Sequence, residues 1–290
     1  MIEAKIIADS VNIDKYDPLL HNKLFRITTM QVKFHRFILA EFNTHRVFSR
    51  NFSSSRAIPT SKLIEQVRTN PAIPVFWGRN KPGMQANDEL EYPDLELAKA
   101  EWIAAANYNA DVAEYMYDLG VHKQIVNRLL EPFMYVEGVV TSTEWDNFFN
   151  LRDHPDAQPE IQTLAKEMKS ALNNSKPVEL HAGEWHLPYI KSSEIDTLYN
   201  DPRYKTDHYF LPKISAARCC RVSYLKHDQT SPSIDDDMKL FERLVKSNPI
   251  HASPLEHQAT PVLHDSFSPY LQGNLSNWNQ FRKLWETESS

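Results

Sequence analysis

A chain of 290 residues with 41% hydrophobic and 24% charged content has the make-up of a globular protein with room for a substantial core. Its net charge of −6 excludes a general polyanion binder, so no nucleic-acid polymer is expected as a partner and any phosphate must be gripped by a local arginine cluster. The two cysteines, Cys219 and Cys220, are neighbours, which excludes a disulfide scaffold; with no leader-like start and no apolar run near the ~20 residues of a bilayer span, a cytoplasmic protein without a membrane partner is expected.

Residues 4–8 and 24–34 read as strands, the second rich in β-branched side chains. Residues 35–45 read as a short helix that runs into a Ser/Arg-rich loop. The Pro-rich stretch 71–93 has no helical period and reads as a loop or lid. Asp94, after Pro93, can cap a long helix in which Leu95, Ala98, Trp102, Ala105, Val112, Met116 and Leu119 recur at helical spacing, and Gly120 ends it. A second helix over 122–130 stops before Pro132. Residues 135–142 form a strand, 143–151 a helix, and Pro155 can start another that runs to about Asn173. Ser233 and Asp236 have capping-box spacing for a helix over 234–247, with Leu240, Phe241, Leu244 and Val245 facing the core. Strands and helices mix without a βαβαβ rhythm, so the fold class is α+β, a mixed or antiparallel sheet with flanking helices.

The most informative segment is Thr44–Arg56, which holds three arginines, a histidine, an asparagine and four serines within 13 residues. Hydroxyls and amides offer short hydrogen bonds, and guanidinium groups recognise phosphate or a uracil edge bidentately. On composition alone this is an anion-binding loop or a solvated basic turn. The segment resembles the motif R-H-R-x-x-S-x-N-E-x-S-x-R of the flavin-dependent thymidylate synthases (the ThyX family). His45, Arg46, Ser49, Asn51, Ser54 and Arg56 fall on six of its eight fixed positions, while Thr44 and Phe52 stand where the motif has Arg and Glu. Glu41 stands where the family commonly has Gln.

Two further blocks are similar to the same family. In residues 120–162, Arg128 and Pro132 match its A-R-x-x-L-P run, Asn147 and Arg152 its N-F-L-x-L-R run, and Gln158, Glu160 and Ile161 its H-A-Q-x-E-I run, with Asp156 in place of the histidine. Residues 217–261 resemble the family's N-terminal region: Arg221, Val222 and Ser223 sit on A-R-V-S, and His251, Ser253, Pro254, Glu256 and His257 on G-H-x-T-P-F-E-H. That block normally precedes the arginine–serine loop and here follows it, which a circular permutation explains. The expectation is one catalytic domain over 1–290, with insertions near 60–95 and 176–212 and an extension over 262–290.

The resemblance implies a homotetramer with composite sites at subunit interfaces. It also implies FAD as cofactor, NADPH and methylenetetrahydrofolate as co-substrates, and transfer of a one-carbon unit to C5 of dUMP or a related pyrimidine deoxynucleotide. Arg56 and Arg152 are the catalytic candidates, at the uracil edge. Arg128 and Ser54 are candidates for the phosphate and Glu41 for the base. His45, Arg46, Asn51 and Asn147 would hold FAD, with His251, Ser253 and Glu256 around its adenosine end and Ser223 also among the cofactor-binding residues. Glu41 and Phe52 could instead shift the outcome toward dCMP or a hydroxymethyl product, and a non-catalytic nucleotide-binding protein on the same fold is a third reading. Taken in isolation, Arg152 reads as a helix C-terminal charge and His251 and His257 as capping or core histidines. His181, Glu184 and His186, with Asp207 or His208, are a weak zinc candidate because the two histidines lie five residues apart, and no metal is expected. Thiol catalysis by Cys219 or Cys220 lacks a supporting Pro-Cys-His context.

Overall fold

The computed structural model describes residues 1–14, 25–222, 233–263 and 268–288. Its central sheet has five strands in the order β3-β4-β2-β1-β5: β1 Glu3–Asn12, β2 Arg26–His35, β3 Ser49–Phe52, β4 Tyr135–Ser142 and β5 Val178–Leu180. Neighbours are antiparallel except β1 and β5, which run parallel, so the sheet is mixed. A separate antiparallel pair joins β6 Ala259–Pro261 to β7 Trp278–Gln280. The helices are α1 Leu39–Phe42, α2 Thr60–Thr69, α3 Asp94–Asp118, α4 Lys123–Val126, α5 Asp146–Arg152, α6 Pro159–Asn173, α7 Ile195–Asn200, α8 Phe210–Arg221, α9 Ile234–Lys246, α10 Pro269–Gln272 and α11 Phe281–Glu288. No described helix is long and apolar enough to cross a membrane.

Strand alternation assigns the two sheet faces. Met30, Val32 and Phe34 of β2 and Val136 and Val140 of β4 pack with Phe42, Phe148, Ile161, Leu164 and Met168 from α1, α5 and α6. On the other face Thr29 and Thr141 are directly paired and fully buried, and the C-terminal half of the chain covers them. There Ser10 Oγ bonds His186 Nδ1 (2.9 Å), His186 Nε2 bonds Thr29 Oγ1 (2.8 Å), the two threonine hydroxyls meet at 2.6 Å, and Thr141 Oγ1 bonds His257 Nδ1 (2.8 Å). Burial pushes both imidazoles far below the ordinary histidine range, to about 3, so they remain neutral links in a polar chain. A second core joins α2 and α3, where Ala106, Ala110 and Ala113 let the helices approach closely over Leu63 and Val67. A third joins α8, α9 and α11 through Ala217, Phe241, Leu244 and Phe281.

Several elements differ from the sequence expectation for local reasons. β1 extends to Asn12 through its pairing with β2 and β5, and a register shift between Ile6 and Ala8 breaks the alternation that would have shown this in the sequence. The helix expected from Pro155 begins at Pro159 instead, where the Gln158 side chain accepts from the Glu160 and Ile161 amides. The single helix expected over 122–130 is the short α4, capped by His122, followed by tighter 3-10 turns over Asn127–Phe133 that include Pro132. The helix expected over 143–151 begins three residues later, at Asp146.

Candidate active site

The arginine–serine loop is tied down at both ends of β3. Before the strand, Arg50 donates to the carbonyls of Asn43 (3.1 Å), His45 (2.8 Å) and Phe48 (3.3 Å), so the loop wraps its guanidinium. Thr44, in place of the motif's arginine, closes α1 by donating to the Glu41 carbonyl at 2.7 Å. After the strand, Ser55 donates to Glu131 (2.5 Å), and Asn127 donates to the Ser55 and Ile58 carbonyls (2.7 and 3.1 Å). Arg36 joins by pairing with Glu131 at 3.1 Å and donating to the Ser53 carbonyl at 3.3 Å. Arg36, Arg50, Asn127 and Glu131 were not singled out from sequence. Asn127 adjoins the matched Arg128, and Arg50 occupies a variable position of the motif.

Within β3 the side chains alternate. Ser49 and Asn51 face the C-terminal half, while Arg50 and Phe52 face the aromatic core. Phe52 sets its edge against Phe34 and Phe42 at centroid distances of 5.5 and 5.6 Å. Opposite it in the ladder is Gly138, where a Cβ would overlap Cδ1 and Cε1 of the Phe52 ring. The missing motif carboxylate is therefore replaced by a ring that needs a glycine partner.

One polar corner forms where α5 ends. Arg152 donates from Nε to His45 Nε2 at 2.9 Å and from a terminal nitrogen to Glu41. His45 is buried between Phe48 and Phe148, and burial, then Arg152 and Arg50, lower its pKa to about 4. It is thus neutral near pH 7, with Nε2 accepting. Glu41 answers the Arg152 charge, so it does not present a bare negative charge to a nucleotide.

A second feature is a cleft of about 110 Å³ lined by Asn51, Phe52, Ser54, Cys220, His251, Ser253 and Pro254. Asn51 Nδ2 donates to the Cys219 carbonyl at 3.0 Å, which fastens β3 to α8. Loop residues and residues of the C-terminal block therefore share one surface. A larger depression of about 380 Å³ lies between α2 and α3, away from these residues, and is rimmed by the exposed pairs of Arg68 with Asp111 and Glu114.

The other candidates are scattered around this core. Arg46, Arg56 and Asn147 are exposed, and among the described residues no carboxylate pairs with either arginine. Arg128 is exposed and bonds Glu131 at 2.8 Å, beside the Ser55–Ala57 turn that carries Arg56. Arg56 follows β3 in the Ser55–Ala57 turn, whereas Arg152 ends α5 and bonds His45 and Glu41 ahead of the strand. Glu256 is turned away from the cleft, bonded to Arg282 on α11, and burial raises its pKa. Ser223 lies outside the described residues. The histidines of His181–His186 diverge, His181 pairing with Asp14 at 2.8 Å at the surface while His186 is buried in the polar chain. Among the described residues no three metal-binding side chains converge. Both thiols are buried, and desolvation pushes Cys220 up to about 11 and Cys219 higher still, which makes each a poor nucleophile.

The family model described as thymidylate synthase complementing protein matches residues 19–178, more than half of the chain. The chain belongs to that family. The matched stretch holds the arginine–serine loop and the Arg128–Arg152 block, while the C-terminal block lies beyond it and packs back onto the loop. Among solved structures, the chain is similar to a UMP/dUMP methylase, PolB from Streptomyces cacaoi bound with 5-Br dUMP, at 15% identity and a TM-score of 0.48 over 59% of this chain and 90% of that one. It is also similar to thymidylate synthase X from Helicobacter pylori with FAD and dUMP, at 14% identity and a TM-score of 0.41 over 59% of this chain and 93% of that one. No curated protein matches the chain.

Proposed function

We propose that the protein is a flavin-dependent thymidylate synthase that uses FAD, NADPH and methylenetetrahydrofolate to place a one-carbon unit on C5 of dUMP and release dTMP. The observation that carries the reading is the Arg152 corner. His45 and Glu41 hold two guanidinium nitrogens, and the third, with no hydrogen-bond partner among the described residues, is left for a ligand. For C5 to act as a nucleophile, negative charge must build on a pyrimidine carbonyl. A fixed guanidinium meeting that oxygen stabilises it by about 2–4 kcal/mol, as for one oxyanion donor. Neutral His45 orients Arg152 without adding a competing charge. Arg56, Arg128 and Ser54 supply the cations and hydroxyl for a phosphate, and Glu41 positions Arg152 from the base side.

The residues fit a flavin by their chemistry. The exposed Arg46, with no carboxylate partner among the described residues, suits a diphosphate, Asn147 and Asn51 offer amides, and His251 and Ser253 line the cleft with Phe52. Bound FAD would supply the redox chemistry that the chain's own side chains lack. The cleft of about 110 Å³ is well below the several hundred Å³ of a usual cofactor pocket, so one chain encloses only a fragment of FAD. Further copies, as a homotetramer, would complete the site around the exposed arginines. In this reading the chain is one catalytic domain whose C-terminal block is a circularly permuted family segment, supported by its packing onto the loop.

A second outcome is favoured by one observation: Glu41 is partly exposed beside Arg152 and can accept from a cytosine amino group if Arg152 yields it. Purified protein is incubated with FAD, NADPH, methylenetetrahydrofolate and either dUMP or dCMP, and the nucleotide is weighed by mass spectrometry. A methyl added to dUMP supports the proposal. A hydroxymethyl product or preferred dCMP moves the assignment to a pyrimidine hydroxymethylase. No product with either nucleotide leaves a non-catalytic nucleotide binder.

A further inference from the structure

The C-terminal segment beyond the family match reaches back to the arginine–serine loop. Asn274 donates from Nδ2 to the Val47 carbonyl at 2.9 Å and accepts at Oδ1 from Ser49 Oγ at 3.1 Å, across 227 and 225 residues of chain. Val47 and Ser49 flank Phe48, whose ring is buried against Trp145 and Phe148, so one amide grips the Val47 carbonyl on one side of an aromatic anchor and the Ser49 hydroxyl on the other. Gln280 on β7 donates to the same Asn274 oxygen at 2.8 Å and holds the amide in place. The turn carrying Asn274 is itself fixed. Gly273 has φ +57°, and any Cβ there would lie 2.7 Å from the Gln280 side-chain oxygen, so the position needs glycine. Gln272 accepts from the Asn277 amide at 2.9 Å, and Ser276 bonds Thr143 and Glu144 at 3.0 and 2.7 Å, ahead of α5. Leu275, Trp278 and Phe281 are fully buried and anchor the segment.

We infer that Asn274, braced by Gln280, is a positioning residue that clamps the arginine–serine loop in its ligand-binding conformation. The clamp joins the segment before α5, which ends in Arg152, to the loop that carries His45 and Asn51. Its link to FAD rests on the function proposed above. Two side-chain hydrogen bonds released on one loop predict about a tenfold loss of affinity for a ligand that needs the loop ordered, or about 1.4 kcal/mol.

The test compares the full-length parent with Asn274→Ala, Asn274→Asp and the control Tyr270→Ala, which alters an exposed side chain on α10. Amide hydrogen exchange is read over residues 45–52 and over β2 and β4, and FAD affinity by quenching of flavin fluorescence. In Asn274→Ala, exchange over 45–52 rises about tenfold while β2 and β4 stay as in the parent. The FAD dissociation constant rises by a similar factor. Asn274→Asp, which keeps the acceptor and loses the donor, falls between, and Tyr270→Ala matches the parent. Unchanged loop exchange in Asn274→Ala overturns the clamp, as does exchange that rises equally across β2 and β4. A parent that binds no FAD sinks the flavin reading instead, and the exchange measurement still decides the clamp.

Discussion

Gly138→Ala tests the replacement of the motif carboxylate by a buried ring. A Cβ at position 138 would overlap two atoms of the Phe52 ring and stand 2.8 Å from a third, Cγ. Ordinary carbon contact is 3.5–4.0 Å, so the ring must move by roughly 1 Å or more. It cannot do so and keep both edge contacts, to Phe34 at 5.5 Å and Phe42 at 5.6 Å, each worth about 0.5–1.5 kcal/mol. Overpacking of this kind costs about 1–3 kcal/mol, and the roughly 0.5–1 kcal/mol that alanine gains over glycine in a strand offsets only part of it. We expect a net loss of about 1–2 kcal/mol, or a melting temperature lower by about 2–4 °C. Thermal melts of the parent, Gly138→Ala, Phe52→Ala and the double variant form the cycle. Phe52→Ala removes the obstructing ring, so Gly138→Ala becomes neutral or mildly stabilising in that background. A Gly138→Ala protein that melts like the parent, or the same loss with and without the Phe52 ring, would refute the packing argument.

Acid should unfold the protein through its buried imidazoles. His186 and His257 titrate at about 3 when folded and near 6.5 when unfolded, so the unfolded chain binds protons first and stability is lost as pH falls from 6.5 toward 3. At pH 5 the two together cost up to about 4 kcal/mol relative to pH 8, and His257→Gln should shrink the difference between urea midpoints at those pH values; an unchanged difference contradicts the assignment. Arg152→Ala should lower kcat/KM for dUMP by about a hundredfold or more, and Arg152→Lys should recover little because it lacks the Nε donor to His45; full activity in the lysine variant would remove Arg152 from the site. Glu41→Gln should keep the hydrogen bond to Arg152 and leave the choice between dUMP and dCMP unchanged, whereas a switch in preference would make Glu41 a reader of the base. Cys219→Ser and Cys220→Ser should each keep turnover within about threefold, because neither buried thiol is a nucleophile, and loss of all activity would revive thiol catalysis.

Parts of this architecture are visible in the amino-acid sequence and parts are not, for physical reasons. β4 and α9 fall where their local signals put them, α9 with the capping box of Ser233 and Asp236 in place. The arginine–serine loop announces itself by composition and by motif. In contrast, α8 is hidden because Phe210, Leu211, Ile214, Ala217 and Cys220 bury it on all sides, leaving no amphipathic period, with Pro212 in its first turn. β6 and β7 are three residues each and exist through tertiary packing, so no window of local sequence carries them. His186 and His257 look alike as isolated histidines and as ligand candidates; only burial beside Thr29 and Thr141 makes them links in a neutral chain, while His251 stays exposed at the cleft. The clamp by Asn274 spans more than 220 residues of chain and has no sequence signal beyond a glycine before an asparagine.

An absorbance spectrum of the purified protein with added FAD tests the central claim most directly. Flavin bands that stay with the protein through gel filtration, bleach on NADPH and return when dUMP and methylenetetrahydrofolate are added are the predicted result. A colourless protein that takes up no FAD, alone or with dUMP, would contradict a flavin-dependent synthase and leave the loop, the corner and the cleft to another chemistry.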